Sequence, residues 1–497
     1  MESLPVQVWE KLLDSWHYRV LAAAAAGTAA LVALRCLRPR QTDFAEVPGF
    51  PLVGVLPKLG KIPDDFVEKL EGWMKEYGKD GVCEYNLMGA RFVLVACKEG
   101  LDQIMHARPY KVTRSTDFSR IAKVLYGLFT AEGESWKRQR RIISPAFNAK
   151  NTLSFFPLIK RVVDEATQKC DAAVGSDVNF TQLTRCLSAE VIATTAFGEG
   201  FGVFRKDKTR ELAEVDQVMH DLGRRAFAPF AWWKLPFLGR FEHLQSTFNT
   251  LTGSLAKFTH ETHKDSHAHT ILGKLDQIAG AGEKLSREEL LGNVATLFVA
   301  GTDTTNIALT WALYLLAKNP EQQAHVAREV RAKAPNGVST HEQLDHLHLV
   351  QGVWAETLRM HSPAPVVFLT AAQPFELLGR TLPSGTHLTL LNRLQANIGP
   401  EAKSLGTDLD AFRPGRWIAA GGEALIAEAA ALQGLFFGAG ARTCPGQRLA
   451  ELEGQLFLAE FLRRFEVGGD VPDLGEKTHF TQNPDRDVVL RLAARRD

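Results

Sequence analysis

Apolar positions recur at three- and four-residue spacing over long stretches of the chain, which predicts helices that each bury one stripe. The clearest stretch starts near Ser286, which makes a capping box with Glu289, and must end by Pro320. Leu290, Val294, Leu297, Phe298, Leu309 and Leu313 leave it little polar face, so it is expected to cross the interior. A second helix is expected to start at Pro445, just after Cys444, and to bury Leu449, Leu452, Leu456 and Ala459. Asp487 to Leu492 reads as a strand of a small peripheral sheet. The run from Val20 to Leu34, bounded by Arg19 and Arg35, is unbroken by polar charge. As a helix it spans about 22 Å against a hydrocarbon core of roughly 30 Å, with Trp9, Trp16 and Tyr18 upstream to sit at an interface. A membrane anchor and an alanine-rich surface helix both accommodate it. Val47-Pro48-Gly49-Phe50-Pro51 reads as a stiff hinge leading into the body. The expected organisation is an anchor and basic, proline-rich hinge over residues 1–46 and one body over 47–497, without repeats or a long linker.

Composition narrows this picture only a little. A hydrophobic fraction of 45% and a charged fraction of 23% suit a globular body. With 58 basic and 57 acidic side chains there is no general attraction to nucleic acid, and no nucleic-acid-binding signature is present, so none is expected as a partner. The cysteines at 36, 83, 97, 170, 186 and 444 include no Cys-x-x-Cys pair, which argues against a disulfide framework or a zinc site. Arg35, Arg38 and Arg40 follow the apolar run while Glu2, Glu10 and Asp14 precede it, so an anchored body would lie in the cytosol. His260, His263, His267 and His269 lack accompanying cysteines or dense carboxylates, which favours a solvated helix end or loop over a metal site. The aromatic stretch Phe227 to Leu238 is read either as core packing or as an exposed contact surface.

The candidate chemistry begins at Phe437-Gly-Ala-Gly-Ala-Arg-Thr-Cys-Pro-Gly446. Gly438 and Gly440 permit a tight turn and close approach to a flat ligand, and a following helix would aim backbone N–H groups at the Cys444 sulfur, which favours its thiolate. Read alone, Cys444 is also compatible with a buried free cysteine. In the middle of the long helix stand Ala300, Gly301, Thr302, Asp303, Thr304 and Thr305. Thr304 can bond back to the Ala300 carbonyl and bend the helix, while Gly301 removes bulk on the same side. Glu356 and Arg359 share one helix face, as do Trp136 and Arg140, the latter among the further cations Lys137, Arg138 and Arg141.

The Phe437 to Gly446 segment resembles the haem-binding signature of the cytochromes P450, Phe-x-x-Gly-x-Arg-x-Cys-x-Gly, with every fixed position filled. The resemblance covers the chain from about Val47 onward, with four motifs in family order. It implies a mainly α fold with small β-sheets, the cytochrome P450 fold, as a single haem-bearing catalytic domain. It implies haem b (iron protoporphyrin IX) with Cys444 as axial ligand to the iron, Phe437 beside the sulfur, Gly438 and Gly446 in the loop, and Arg442, Trp136 and Arg140 reaching haem propionates. A thiolate ligand pushes electron density onto iron and favours O–O cleavage. Ala300, Gly301, Asp303 and Thr304 resemble the oxygen-activation motif, with Thr304 the oxygen-activating threonine and Asp303 feeding its proton path. Glu356, Arg359 and Arg416 resemble the family's buried charge network. Gly415 stands where many relatives carry an acid, which implies a thinner network. Val367-Phe368-Leu369-Thr370 lacks the arginine or histidine that relatives direct at the second propionate.

The implied activity is a haem-thiolate monooxygenase that inserts one atom of O2 into a lipophilic small-molecule substrate. Electrons would come from NADPH through a separate NADPH-cytochrome P450 reductase, with cytochrome b5 as an optional second donor, and the basic patch around Trp136 to Arg141 would suit the docking of an acidic electron donor. The implied location is the endoplasmic reticulum membrane with the catalytic domain cytosolic. Two rivals are a haem-thiolate isomerase or peroxygenase acting on lipid hydroperoxides, and a noncatalytic haem sensor. Neither needs the intact Asp303-Thr304 pair.

Overall fold

The computed structural model describes residues 43–115, 126–204, 210–228, 232–234, 243–261, 269–279, 284–422 and 424–496. The main helices are α1 (Phe66–Tyr77), α2 (Gly133–Ile143), α3 (Phe180–Phe197), α4 (Arg210–Ala226), α5 (Arg287–Lys318), α6 (His348–Met360), α7 (Asn392–Ile398) and α8 (Gln447–Arg464). Besides the short hairpin of Phe375–Leu377 and Arg380–Leu382, the strands are β1 (Val82–Leu87), β2 (Ala90–Val95), β3 (Val112–Arg114), β4 (Asp177–Asn179), β5 (Val366–Ala371), β6 (His387–Leu391), β7 (Phe465–Gly468), β8 (Glu476–Thr478), β9 (Gln482–Pro484) and β10 (Val489–Ala494). The fold is mainly α with small sheets, as the motifs imply.

The long helix α5 is the spine. Ser286 caps it reciprocally with Glu289, the Glu289 N–H donating to Ser286 Oγ at 3.1 Å and the Ser286 N–H to Glu289 Oε2 at 2.9 Å. Its apolar positions are buried from Val294 to Ala317 except Leu297 and Ala300, and it packs along α3. One polar cluster in that seam is paired: Thr184 of α3 lies 2.8 Å from both Asn306 Oδ1 and Thr310 Oγ1 of α5.

The five-stranded sheet has the order β1-β2-β6-β5-β3, with β2 and β6 parallel and the other neighbours antiparallel. Leu94 of β2 belongs to one apolar cluster and Val93 and Val95 to another, so the sheet is covered on both faces. The antiparallel register of β3 on β5 sets Arg114 opposite Leu369. A three-stranded sheet β4-β10-β7 and the hairpin β8-β9 lie elsewhere on the body.

Three local expectations are corrected. Helix α8 starts at Gln447 with Gly446 as its cap, and Pro445 belongs to the turn before it. The last strand is shifted two residues along, from Asp487–Leu492 to Val489–Ala494. The Val47 end of the stretch expected as a stiff hinge is built into the body, because the Val47 N–H donates to the Glu84 carbonyl at 2.8 Å and Val47 is buried. The Val20 to Leu34 run lies outside the described residues, and among the described residues no helix is long and apolar enough to cross a membrane.

Candidate functional site

The loop before α8 presents Cys444. Gly438, just past the helix ending at Phe437, has φ 75°, and Gly440 has φ 68°, a region that side chains with a Cβ rarely enter. The Cys444 N–H donates to the Phe437 carbonyl at 2.8 Å and closes the loop, while the Phe437 ring is half-buried against the core. Although the helix begins later than expected, the N–H groups of Gly446 and Gln447 still donate to the sulfur. Protein surrounds the thiol closely enough for burial to push its pKa up, against those two N–H groups and the Arg140 guanidinium, which favour the thiolate. The residue as a whole is nevertheless exposed, in contrast to the buried Cys83, Cys170 and Cys186.

A cluster of buried guanidinium groups stands beside this loop. Arg442 lies over the Trp136 ring at 4.2 Å and donates through Nη2 to the Ala131 carbonyl at 2.8 Å and to Glu132 Oε2 at 2.6 Å. Its Nε and Nη1 are buried without a hydrogen-bond partner, as is Nε of Arg108. Burial, with repulsion from Arg108 and Arg140 against the attraction of Glu132, lowers Arg442 to about 10. Arg114 is lowered to about 9 by burial and by Arg108 and Arg442. Arg140 is lowered by burial and raised by Cys444, which sets it in the field of the sulfur. Trp136 is thus brought to Arg442, and Arg140 to Cys444.

No motif points to Arg108, Arg114 or Glu132. Arg114 comes from β3, paired with β5 opposite Leu369, where the expected arginine or histidine is missing. The absent cation at Leu369 is the one sequence signal that points to a neighbouring strand. These residues fit a haem: an accessible cysteine faced by N–H donors suits an iron ligand, and unpartnered buried guanidinium atoms with one carboxylate among them suit the anionic propionates.

At the middle of α5, the Thr304 hydroxyl donates to the Ala300 carbonyl at 2.8 Å, as its spacing predicts. Gly301 faces α3, where a Cβ would stand 3.1 Å from Ile192 Cδ1, so its small size serves helix packing. Asp303 is buried and accepts from the Thr481 hydroxyl at 2.6 Å. Burial raises its carboxyl to about 6, against that hydrogen bond.

The charge network is complete. Arg359 meets Glu356 through two bonds of 2.8 and 2.9 Å, and both side chains are fully buried. Glu356 also accepts from Arg416 Nε and from the Trp417 indole, each at 2.9 Å. Arg416 is not short of partners for lack of an acid at Gly415: Asp408 Oδ1 lies 3.2 Å from it, and the carbonyls of Leu405, Asp408 and Ala411 accept from it. The expected thinning is therefore corrected.

The basic patch is also partly spoken for, since Arg138 donates to Glu289 and to the Lys284 carbonyl, and Lys137 pairs with Glu134. Phe227 packs between Phe66 and Phe368, at ring distances of 5.2 and 5.6 Å. Residues 229–231 and 235–238 of that aromatic stretch lie outside the described residues. Of the four histidines, His263 and His267 lie outside them too, and among the described residues no group of histidine, cysteine and carboxylate side chains is arranged to hold a metal ion.

A family model described as Cytochrome P450 matches residues 46–491. The chain is similar to Cytochrome P450 71B35 of Arabidopsis thaliana, 25% identical over 489 residues, which cover 92% of this chain and 94% of that protein. It is also similar to the mitochondrial Sterol 26-hydroxylase of Homo sapiens, 28% identical over 392 residues covering 74% of this chain and 73% of that one. Cytochrome P450 714C3 of Oryza sativa subsp. japonica is 29% identical over 409 residues, 79% of this chain and 77% of the relative.

Proposed function

The chain belongs to the cytochrome P450 family, and from that premise we propose that it inserts one atom of O2 into a lipophilic organic substrate, by hydroxylation or epoxidation, with Cys444 as the axial ligand of its haem. As a family member it is an oxidoreductase of the monooxygenase type, binds haem and takes electrons from a redox partner. The finer reading is that NADPH supplies these electrons through a separate NADPH-cytochrome P450 reductase, with cytochrome b5 as an optional donor. Attachment of residues 1–46 to the endoplasmic reticulum membrane, with a cytosolic body over 47–497, is supported by the Val20 to Leu34 run and the arginines after it.

The observation that carries this reading is an exposed cysteine residue whose sulfur is faced by the Gly446 and Gln447 N–H groups, beside buried guanidinium groups that outnumber the carboxylate of Glu132. Haem, when bound, supplies dioxygen activation and oxygen transfer. In this chain Gly446, Gln447 and Arg140 favour the Cys444 thiolate. Arg108, Arg114 and Arg442 are suited to hold the propionates, with Trp136 under Arg442. The Thr304 hydroxyl and the Asp303 carboxyl are the proton-bearing groups in the middle of α5. A carboxyl raised to about 6 can both take up and release a proton near neutral pH, as a relay requires. Glu356, Arg359 and Arg416 fix the segments around the site.

Turnover with NADPH, reductase and 18O-labelled dioxygen over a panel of lipophilic compounds tests this reading. One labelled oxygen atom per product is expected, whereas product without label would exclude monooxygenation. In Thr304→Ala the product formed per NADPH is expected to fall by about tenfold or more, with peroxide released instead. Unchanged coupling would remove Thr304 from the mechanism.

A further inference from the structure

We propose that Thr481, at the turn between β8 and β9, is a positioning residue for Asp303: its hydroxyl holds the Asp303 carboxylate and ties it to the hairpin and to α4. This rests on the proton-relay reading of Asp303 and names the group that controls that carboxylate. The Thr481 hydroxyl donates to Asp303 Oδ2 at 2.6 Å, and both residues are buried, at 6% and 9% exposure.

The polarity of the contact is set by Asn483. Its Nδ2 donates to the Thr481 carbonyl at 3.0 Å and to Thr481 Oγ1 at 3.2 Å. A carbonyl only accepts, so the amide nitrogen must face this way. The Thr481 hydroxyl therefore accepts from Asn483, and its single hydrogen is left for Asp303. A donor of this kind favours the charged carboxylate.

The charged groups that face Asp303 are Arg185 of α3, which favours its ionised form, and Asp216 of α4, which opposes it. These two are themselves paired at 2.8 Å. Thr481 is the hairpin's contribution, and it is uncharged.

The turn is clamped on its other side by α4. A Cβ on Gly223 would come within 2.7 Å of the His479 carbonyl carbon and 2.9 Å of the Phe480 nitrogen, so α4 and the hairpin tip touch backbone to backbone only because this position is glycine. His220 of α4 and His479 meet ring to ring at 6.0 Å. Phe480 meets Phe129 edge-on at 6.0 Å, and Arg114 of the guanidinium cluster lies over that same Phe129 ring at 4.0 Å. Three consecutive residues thus touch α4, the Phe129 ring under Arg114, and the α5 carboxylate. A displacement of α4 or of Phe480 acts on Asp303 through the Thr481 hydroxyl.

The test uses the full-length, haem-loaded protein and pH-difference infrared spectroscopy, with Asp303→Asn identifying the Asp303 carboxyl band. Loss of the donor in Thr481→Val is expected to move the titration midpoint of that band upward by about one pH unit. Thr481→Ser keeps the donor and should leave it in place. Gly223→Ala pushes the hairpin tip while sparing the hydroxyl, and should move the midpoint in the same direction as Thr481→Val.

A midpoint unmoved in both Thr481→Val and Gly223→Ala would overturn the proposal. Coupling of NADPH use to product provides the second readout, reduced in Thr481→Val and retained in Thr481→Ser. A shifted midpoint with full coupling in Asp303→Asn would instead strike the relay reading while leaving the Thr481 contact standing.

Discussion

Glu453 of α8, nine positions beyond Cys444, carries a carboxyl that burial pushes up to about 8, only partly opposed by the nearby Ser188 hydroxyl. Its ordinary value is 4.5, so between these two values the folded chain holds a proton that the unfolded chain releases. The resulting stabilisation is complete below 4.5 and is lost as pH rises through about 8, at about 1.4 kcal/mol per pH unit within the window. Denaturant unfolding between pH 5 and 8 is expected to show this extra slope in the native chain and not in Glu453→Gln. Equal slopes would mean that the carboxyl is not titrating as its burial dictates. At this scale the site was partly legible. The bond from Thr304 to the Ala300 carbonyl follows from spacing alone, while Cys444 and Arg442 sit in a compact motif whose roles came through its resemblance to the family signature. Arg108, Arg114 and Glu132 were not legible, because they meet Arg442 through the register of β3 on β5 and the turn before α2, which no local spacing encodes.

The long helix α5 was read from its capping box and apolar stripe to within a residue or two, because both signals are local. Helix α8 was misjudged at its start because proline suits a first helical turn and a tight turn equally well, and the loop carrying Cys444 uses Pro445 in the second way. The meander after α7 hid another signal: Asp408, rather than an acid beside Arg416, supplies the second carboxylate to that arginine. These contacts differ in weight. Glu356→Gln leaves the fully buried Arg359 without its charge partner and is expected to cost about 3–5 kcal/mol. Asp408→Ala removes a bond from a partly exposed carboxylate, while three carbonyls still hold Arg416, and is expected to cost about 1 kcal/mol or less. Thermal unfolding of the two variants checks the order, and equal losses would show that the network is not centred on Glu356.

Across the whole molecule one large apolar cluster runs from Leu128 in the first half of the chain to Leu492 near its end and includes α3, α5, α6 and α8. The helix that carries Thr304 and the helix that follows Cys444 are therefore packed into one core, which is what a rigid site between them requires. Overall class was legible because four motifs recur in family order, while the pairing of separate segments around the guanidinium cluster needed the fold. The central claim is that Cys444 ligates haem iron as a thiolate. It is tested most directly by the carbon monoxide difference spectrum of the reduced, haem-loaded protein beside Cys444→Ala. Thiolate ligation predicts a strongly red-shifted Soret band in the native chain that is lost in the variant. A native band at the position typical of histidine or protonated-thiol ligation, or a red-shifted band that survives the substitution, would contradict it.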